Sequence, residues 1–109
     1  MKDIIETAEK LGKQITASDR FKAVEAARNE IEGDDALQAD MKALNEVSDR
    51  IAQLEKQVKP VEPDDKRRLR ELQEKVTGHP KLQKLARAEA DFAELMNRVN
   101  SAIHAELAK

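Results

Sequence analysis

A row of apolar residues with heptad spacing constrains the fold of this 109-residue chain more than any other feature. Its steps alternate between three and four residues, as at the a and d positions of a coiled coil, and mostly polar side chains fill the places between. The spacing therefore predicts one long helix that buries a narrow apolar stripe. The row consists of Leu37, Met41, Leu44, Val47 or Ser48, Ile51, Leu54 and Val58.

Glycine and proline occur only three times each, and they divide the rest of the chain into further helices. Pro60 ends the long helix, because proline has no amide proton and disfavours helix in the residue before it. Ser18 is the predicted N-cap of the second helix, and Asp34 or Asp35 that of the third. Gly33 is predicted to take the left-handed conformation that often ends a helix. No strand is predicted, and the five helices are expected at about residues 2–16, 19–32, 35–59, 64–77 and 80–107.

The fold class that follows is all-α. The connector from Lys59 to Pro63 is short, and a short connector places consecutive helices antiparallel. We predict a single domain over residues 1–109, a helical bundle built on a long antiparallel coiled-coil-like hairpin with shorter flanking helices. Ile51 and Leu54 are expected to pack against the stretch from Phe92 to Val99.

The two halves of the chain resemble each other at an offset of 45 residues. Each half has a shorter helix, a glycine and then a longer helix, so that residues 33–38 align with residues 78–83. A gene duplication would produce this pattern, and so would chance, since heptad sequences align easily with one another.

Composition excludes several classes of function. There is no cysteine, which excludes disulfides and thiolate or iron–sulfur ligation. Tyrosine and tryptophan are absent, and Phe21 and Phe92 are the only aromatic residues, so platforms for stacking bases or flavins are not expected. A formal net charge of -2 argues against nucleic-acid binding by the whole surface. Neither a signal peptide nor a membrane span is apparent, and a cytoplasmic protein is expected.

No residue is a good candidate for catalysis, and we expect no cofactor or metal site. His79 and His104 are the only histidines, and neither has a second ligand at the spacing that a helical metal site needs. Acidic residues are abundant, and they form two runs, one from Glu30 to Asp35 and one at Asp64 and Asp65. Solvated acids that cap helices explain these runs more simply than catalytic carboxylates do. The chain is therefore predicted not to be an enzyme.

One basic cluster stands out, formed by Lys66, Arg67, Arg68 and Arg70. It has two interpretations. Acidic neighbours four residues away would pair with it on a solvated helix face, as Arg67–Glu71 and Arg70–Glu74. Alternatively, the cluster is a docking surface for RNA or for an acidic partner.

The apolar stripes exceed what one thin hairpin can cover, and exposed stripes of this length usually mark a partner. A homodimer or larger homo-oligomer is therefore expected, with a further protein partner that the sequence does not identify, and with no membrane partner. The residues expected in the core or the interface are Leu37, Met41, Leu44, Ile51, Leu54, Val58, Leu85, Phe92, Leu95, Met96, Val99 and Ile103.

The order of these features resembles the bacterial YlbF/YmcA family of small helical regulators. The resemblance begins at residues 8–12 and 18–23, continues through the two aligned segments at 33–38 and 78–82, and includes Ala88-Glu89 and residues 95–100. It covers almost the whole chain, although each element is a helix signature rather than a catalytic motif.

This resemblance implies a self-associating helical bundle with a regulatory, non-enzymatic role. Some relatives act in complexes that influence competence, biofilm formation, sporulation and RNA processing by a ribonuclease. Some also hold an iron–sulfur cluster through cysteines, a property that this cysteine-free chain cannot share. We therefore expect an oligomeric adaptor that acts through protein–protein interaction. The alternative is a nucleic-acid-associated factor that uses the basic cluster.

Overall fold

The computed structural model describes residues 1–109, and these form five α-helices with no strand, which confirms the all-α prediction. Four of the five helices have the predicted bounds to within one residue, whereas the third ends at Lys56 instead of residue 59. The helices are α1 (Lys2–Thr16), α2 (Asp19–Glu32), α3 (Asp35–Lys56), α4 (Pro63–Thr77) and α5 (Pro80–Leu107).

The early end of α3 has a local cause at Val58. This residue adopts a φ of 56°, in the left-handed region. Its amide donates to the Glu55 carbonyl at 3.1 Å, and the Lys59 amide donates to the Leu54 carbonyl at 2.8 Å. Both bonds belong to the Schellman motif, whose left-handed position is usually occupied by glycine. No glycine in the chain has a positive φ, so the left-handed conformation predicted for Gly33 is wrong.

Side chains cap the starts of three helices. The Ser18 hydroxyl accepts from the Phe21 amide at 3.3 Å, and the Asp34 carboxylate accepts from the Leu37 amide at 3.0 Å, so Ser18 and Asp34 are N-caps as predicted. His79 caps α5, because its Nδ1 accepts from the Lys81 amide at 3.1 Å. Each cap satisfies an amide that has no partner within its own helix.

The chain forms two compact units. The first consists of Met1–Asn29 and Lys84–Lys109. In it α2 packs on α5, and the rings of Phe21 and Phe92 meet edge to face with centroids 5.6 Å apart. Phe92 therefore has an aromatic partner on α2, and the packing of Ile51 and Leu54 against residues 92–99 stays a prediction. The residues buried in this unit are Val24, Ala27 and Ala88.

The second unit is Glu30–Gln83, in which α3 packs on α4 across the connector that contains Pro60. Two ion pairs show that these helices are antiparallel: Asp40 with Lys75 at 3.3 Å, and Arg50 with Asp65 at 3.7 Å. The pairs are ten residues apart on each helix and run in opposite directions. The buried residues of this unit are Ile31, Leu37, Val47, Ile51 and Val76.

Candidate functional site: the basic cluster on α4

The basic cluster lies on the first turns of α4, where the sequence strongly favours a helix start. Pro63 occupies the first helical turn, where its missing amide proton is not needed. Asp64 and Asp65 follow, and their negative charge is favourable at the positive end of the helix dipole. The four cations of the cluster come directly after them.

The two adjacent aspartates lie in different environments. The Asp64 side chain is 85% exposed, and its carboxylate accepts from Arg67 at 2.9 Å. The Asp65 side chain is only 18% exposed, with its Oδ2 3.7 Å from the Arg50 guanidinium of α3. This buried oxygen has no hydrogen bond, so the Arg50 charge is what compensates it. Asp65 is thus turned toward α3 instead of toward the cations that follow it.

All four cations of the basic cluster are exposed to solvent. Arg67 pairs with Asp64 and not with Glu71, so the predicted Arg67–Glu71 pair is wrong, and the structure contains no Arg70–Glu74 pair. Lys66 and Arg70 are four residues apart and share one face of the helix. Arg68, two residues from each of them, points to another side. The cations therefore wrap around the start of α4.

Arg68 borders a small cleft between α3 and α4. The cleft has a volume of about 160 Å³, below the ~300–1,000 Å³ of typical small-molecule pockets. Two acidic and two basic side chains line it, so its charges balance and it is poorly suited to a phosphate group. The lining residues are Glu46, Val47, Arg50, Asp65 and Arg68.

A second charged cluster joins the starts of α3 and α5. Asp34 Oδ2 accepts from the Lys81 ammonium at 2.9 Å and lies 3.9 Å from His79 Nε2. The pKa of Asp34 lies below its ordinary value of 3.8, first because its carboxylate accepts the Leu37 amide and then because of Lys81. The capping role of His79 was not predicted from the sequence. Its position before Pro80, aligned with Asp34 in the other half of the chain, was the available signal.

The residues predicted for the core or the interface fall into three groups. Leu37 and Ile51 are buried, whereas Val58 is 92% exposed and Ile103 is 48% exposed. Val58 is therefore not part of the core of a single chain, and its place in an interface stays a prediction. The remaining candidates are half-buried: Met41, Leu44, Leu54, Leu85, Phe92, Leu95, Met96 and Val99.

These features place the chain among small, all-helical proteins with many charged residues on the surface. None of the five helices combines the length and apolar character needed to cross a bilayer. The model of the family described as control of competence regulator ComK, YlbF/YmcA, matches residues 4–108. The chain belongs to this YlbF/YmcA family, which confirms the resemblance found in the sequence.

Two bacterial relatives are similar to the chain over more than nine-tenths of its length. A UPF0342 protein of Lactobacillus helveticus is 28% identical over 102 residues, covering 94% of this chain and 88% of the relative. A UPF0342 protein of Lactobacillus acidophilus is 25% identical over 99 residues, covering 91% of this chain and 85% of the relative. No solved structure matches the chain.

Proposed function

We propose that this chain is a non-enzymatic regulatory adaptor that self-associates and acts by binding another protein. A regulatory role agrees with the description of the family, which is control of the competence regulator ComK. The proposed mechanism needs a surface and not a reactive group. The observation that carries it is the way the start of α4 displays positive charge.

The basic cluster is the proposed docking surface, and its proposed partner is an acidic protein surface. Asp65 is turned toward Arg50 and Asp64 is engaged by Arg67, so the neighbouring carboxylates are already occupied. Lys66, Arg68 and Arg70 remain exposed around the helix start. Charge complementarity of this kind accelerates association and selects among partners.

Nucleic-acid binding is the rival function, and the arrangement of charges argues against it. A phosphate backbone is bound best by a continuous basic stripe on one face. The four cations here point to more than one side of α4. Glu46 and Asp65 line the cleft beside Arg68 and would repel a phosphate there.

The test combines charge reversal with a matched control. The gene is deleted in its host and complemented with the wild type, with the double variant Arg67→Glu and Arg68→Glu, or with Lys22→Glu and Lys42→Glu. The control pair reverses two exposed cations on α2 and α3. Transcription that depends on ComK is measured, and partner capture is quantified with the tagged proteins.

We expect the variant in the basic cluster to resemble the deletion strain and to lose the captured partner, and the control to resemble the wild type. Equal behaviour of the two variants would contradict the docking surface. RNA binding is measured separately by fluorescence anisotropy at two salt concentrations. Salt-sensitive binding that the cluster variant loses would favour the nucleic-acid function instead.

A further inference from the structure

Gly12 lies in the interior of α1, and no contact within this chain requires a glycine at that position. Glycine inside a helix costs about 1 kcal/mol relative to alanine. A Cβ at this position would meet no atom within 4 Å, so nothing in the chain forbids a side chain there. No residue of α1 is fully buried either: Leu11 and Ile15 are half-buried, and the other residues of the helix are exposed. Close packing against a partner outside the chain would explain why this position has no side chain.

The charges of α1 are all on one side of the helix. At about 100° per residue they occupy about one third of the circumference, and the other two thirds carry no charged side chain. Ile4 and Ile5, on the uncharged side, are 72% and 50% exposed. The charged residues are Lys2, Asp3, Glu6, Glu9, Lys10 and Lys13.

The apolar row on the uncharged side is Ile4, Ala8, Leu11 and Ile15. Its steps of four, three and four residues read the same in both directions. When two such helices lie antiparallel with Ala8 opposite Leu11, Ile4 comes opposite Ile15 at both ends. A surface that matches itself after reversal is what a two-fold symmetric dimer requires.

We propose that the uncharged face of α1 binds the same face of α1 in a second copy of this chain, in antiparallel orientation. The small Ala8 receives the larger Leu11 of the partner, and Gly12 lets the two backbones approach closely. The face has no charge to bury or to repel its copy. This inference rests on the self-association in the proposed function and assigns it a surface.

The composition of α1 favours a second copy over an anionic membrane. Helices that lie on such membranes carry an excess of lysine and arginine on the polar side. Here three lysines balance three acidic residues. The contact is also modest in size, because 15 residues form a helix about 22 Å long. The area is below that of standard protein interfaces, so a dissociation constant on the order of micromolar is expected.

Sedimentation equilibrium over a range of concentrations tests the proposal on the full chain. Leu11→Glu should remain monomeric at concentrations where the wild type dimerises, because the substitution places a charge in the contact. Lys10→Glu, on the charged side, should dimerise like the wild type. Circular dichroism will show that both remain helical, which is expected since Lys10 is exposed and Leu11 is only half-buried.

Gly12→Ala separates packing from helix stability. Alanine favours the helix, so this variant should be at least as resistant to urea as the wild type under monomeric conditions. Its added methyl group should nevertheless weaken dimerisation about tenfold by holding the two helices apart. A Gly12→Ala dimer as tight as the wild type would contradict the close approach.

The absence of native cysteine allows a direct test of orientation. A mixture of Ala8→Cys and Leu11→Cys chains should form a mixed disulfide under mild oxidation, faster than either variant alone. Preferential Ala8→Cys self-crosslinking would indicate a parallel pair and overturn the proposal. A wild type that is monomeric throughout would remove self-association from the proposed function. A wild-type dimer that Leu11→Glu leaves intact would remove only the role of α1.

Discussion

The carboxylate of Asp34 lies 3.9 Å from Nε2 of His79, and each of these two residues begins a helix. Asp34 caps α3 through the Leu37 amide, and His79 caps α5 through the Lys81 amide. They occupy aligned positions, 45 residues apart, in the two halves of the sequence. Their equivalent roles support the internal repeat. Each unit also pairs a shorter helix with a longer one, α2 with α5 and α4 with α3, as the repeat predicts.

The lowered pKa of Asp34 predicts a specific dependence of stability on pH. A carboxyl group with a lower pKa in the folded state stabilises that state above its unfolded pKa, and the contribution is lost as pH falls through the folded pKa. The urea midpoint of the wild type should therefore fall more between about pH 5 and pH 2 than that of Asp34→Asn. Asp34→Asn should be less stable at neutral pH, and its deficit should shrink in acid.

Asp35→Asn is the control for that experiment, because it removes the adjacent exposed carboxylate, whereas Asp34 carries the cap and the Lys81 contact. At neutral pH its midpoint should lie closer to the wild type than that of Asp34→Asn, because Asp35 is neither the capping residue nor the partner of Lys81. Wild-type and Asp34→Asn curves that stay parallel down to low pH would show that Asp34 contributes no pH-dependent stability.

The sequence was sufficient for most of the helix boundaries because these have local causes. Ser18 and Asp34 each accept from an amide three residues further on, so their effects can be seen without knowing the tertiary structure. The third helix, in contrast, ends at the left-handed Val58 and not at Pro60. The helix partners were harder to predict. Periodicity shows which face of a helix is buried but not which helix buries it, and so the contact of Phe92 with Phe21 of α2 was not predicted.

The same limit applies to the candidate site. Its cations could be identified as residues, but Asp64 and Asp65 are the same residue type at adjacent positions. Only the position of Arg50 on α3 shows which of the two turns inward. Val58 fits the heptad spacing and yet lies beyond the helix, because spacing does not indicate where the backbone turns left-handed.

Val58→Gly should stabilise the protein. A β-branched residue with positive φ is strained, and glycine adopts this conformation without a steric penalty. Val58 is 92% exposed, so its removal loses little packing. We expect a gain in unfolding free energy of about 1 kcal/mol in urea denaturation, after allowance for the greater freedom of glycine in the unfolded chain. Val58→Ala keeps a Cβ and should gain less. A loss of stability in Val58→Gly would show that the turn is not strained.

Phe92→Ala should cost about 2 kcal/mol, less than the 3–5 kcal/mol typical of a fully enclosed ring, because Phe92 is half-buried. Part of the cost belongs to the edge-to-face contact with Phe21. A double-mutant cycle with Phe21→Ala and Phe92→Ala, measured by urea denaturation, should give a coupling of about 0.5–1.5 kcal/mol. Additive effects would mean that the two rings contribute independently.

The last prediction separates binding from chemistry at the two histidines. Histidine is the side chain most often used for proton transfer, so an undetected catalytic function would be expected to need His79 or His104. His79 also caps α5, and His79→Ala should therefore cost about 1 kcal/mol of stability whatever the function. His79→Asn removes the imidazole and retains a side chain that caps helices well. If the protein acts by binding, His79→Asn and His104→Ala should complement the deletion strain and capture the partner as the wild type does. Loss of activity in His79→Asn, with the helical content and the oligomeric state unchanged, would instead point to chemistry at the start of α5 and would overturn the adaptor function.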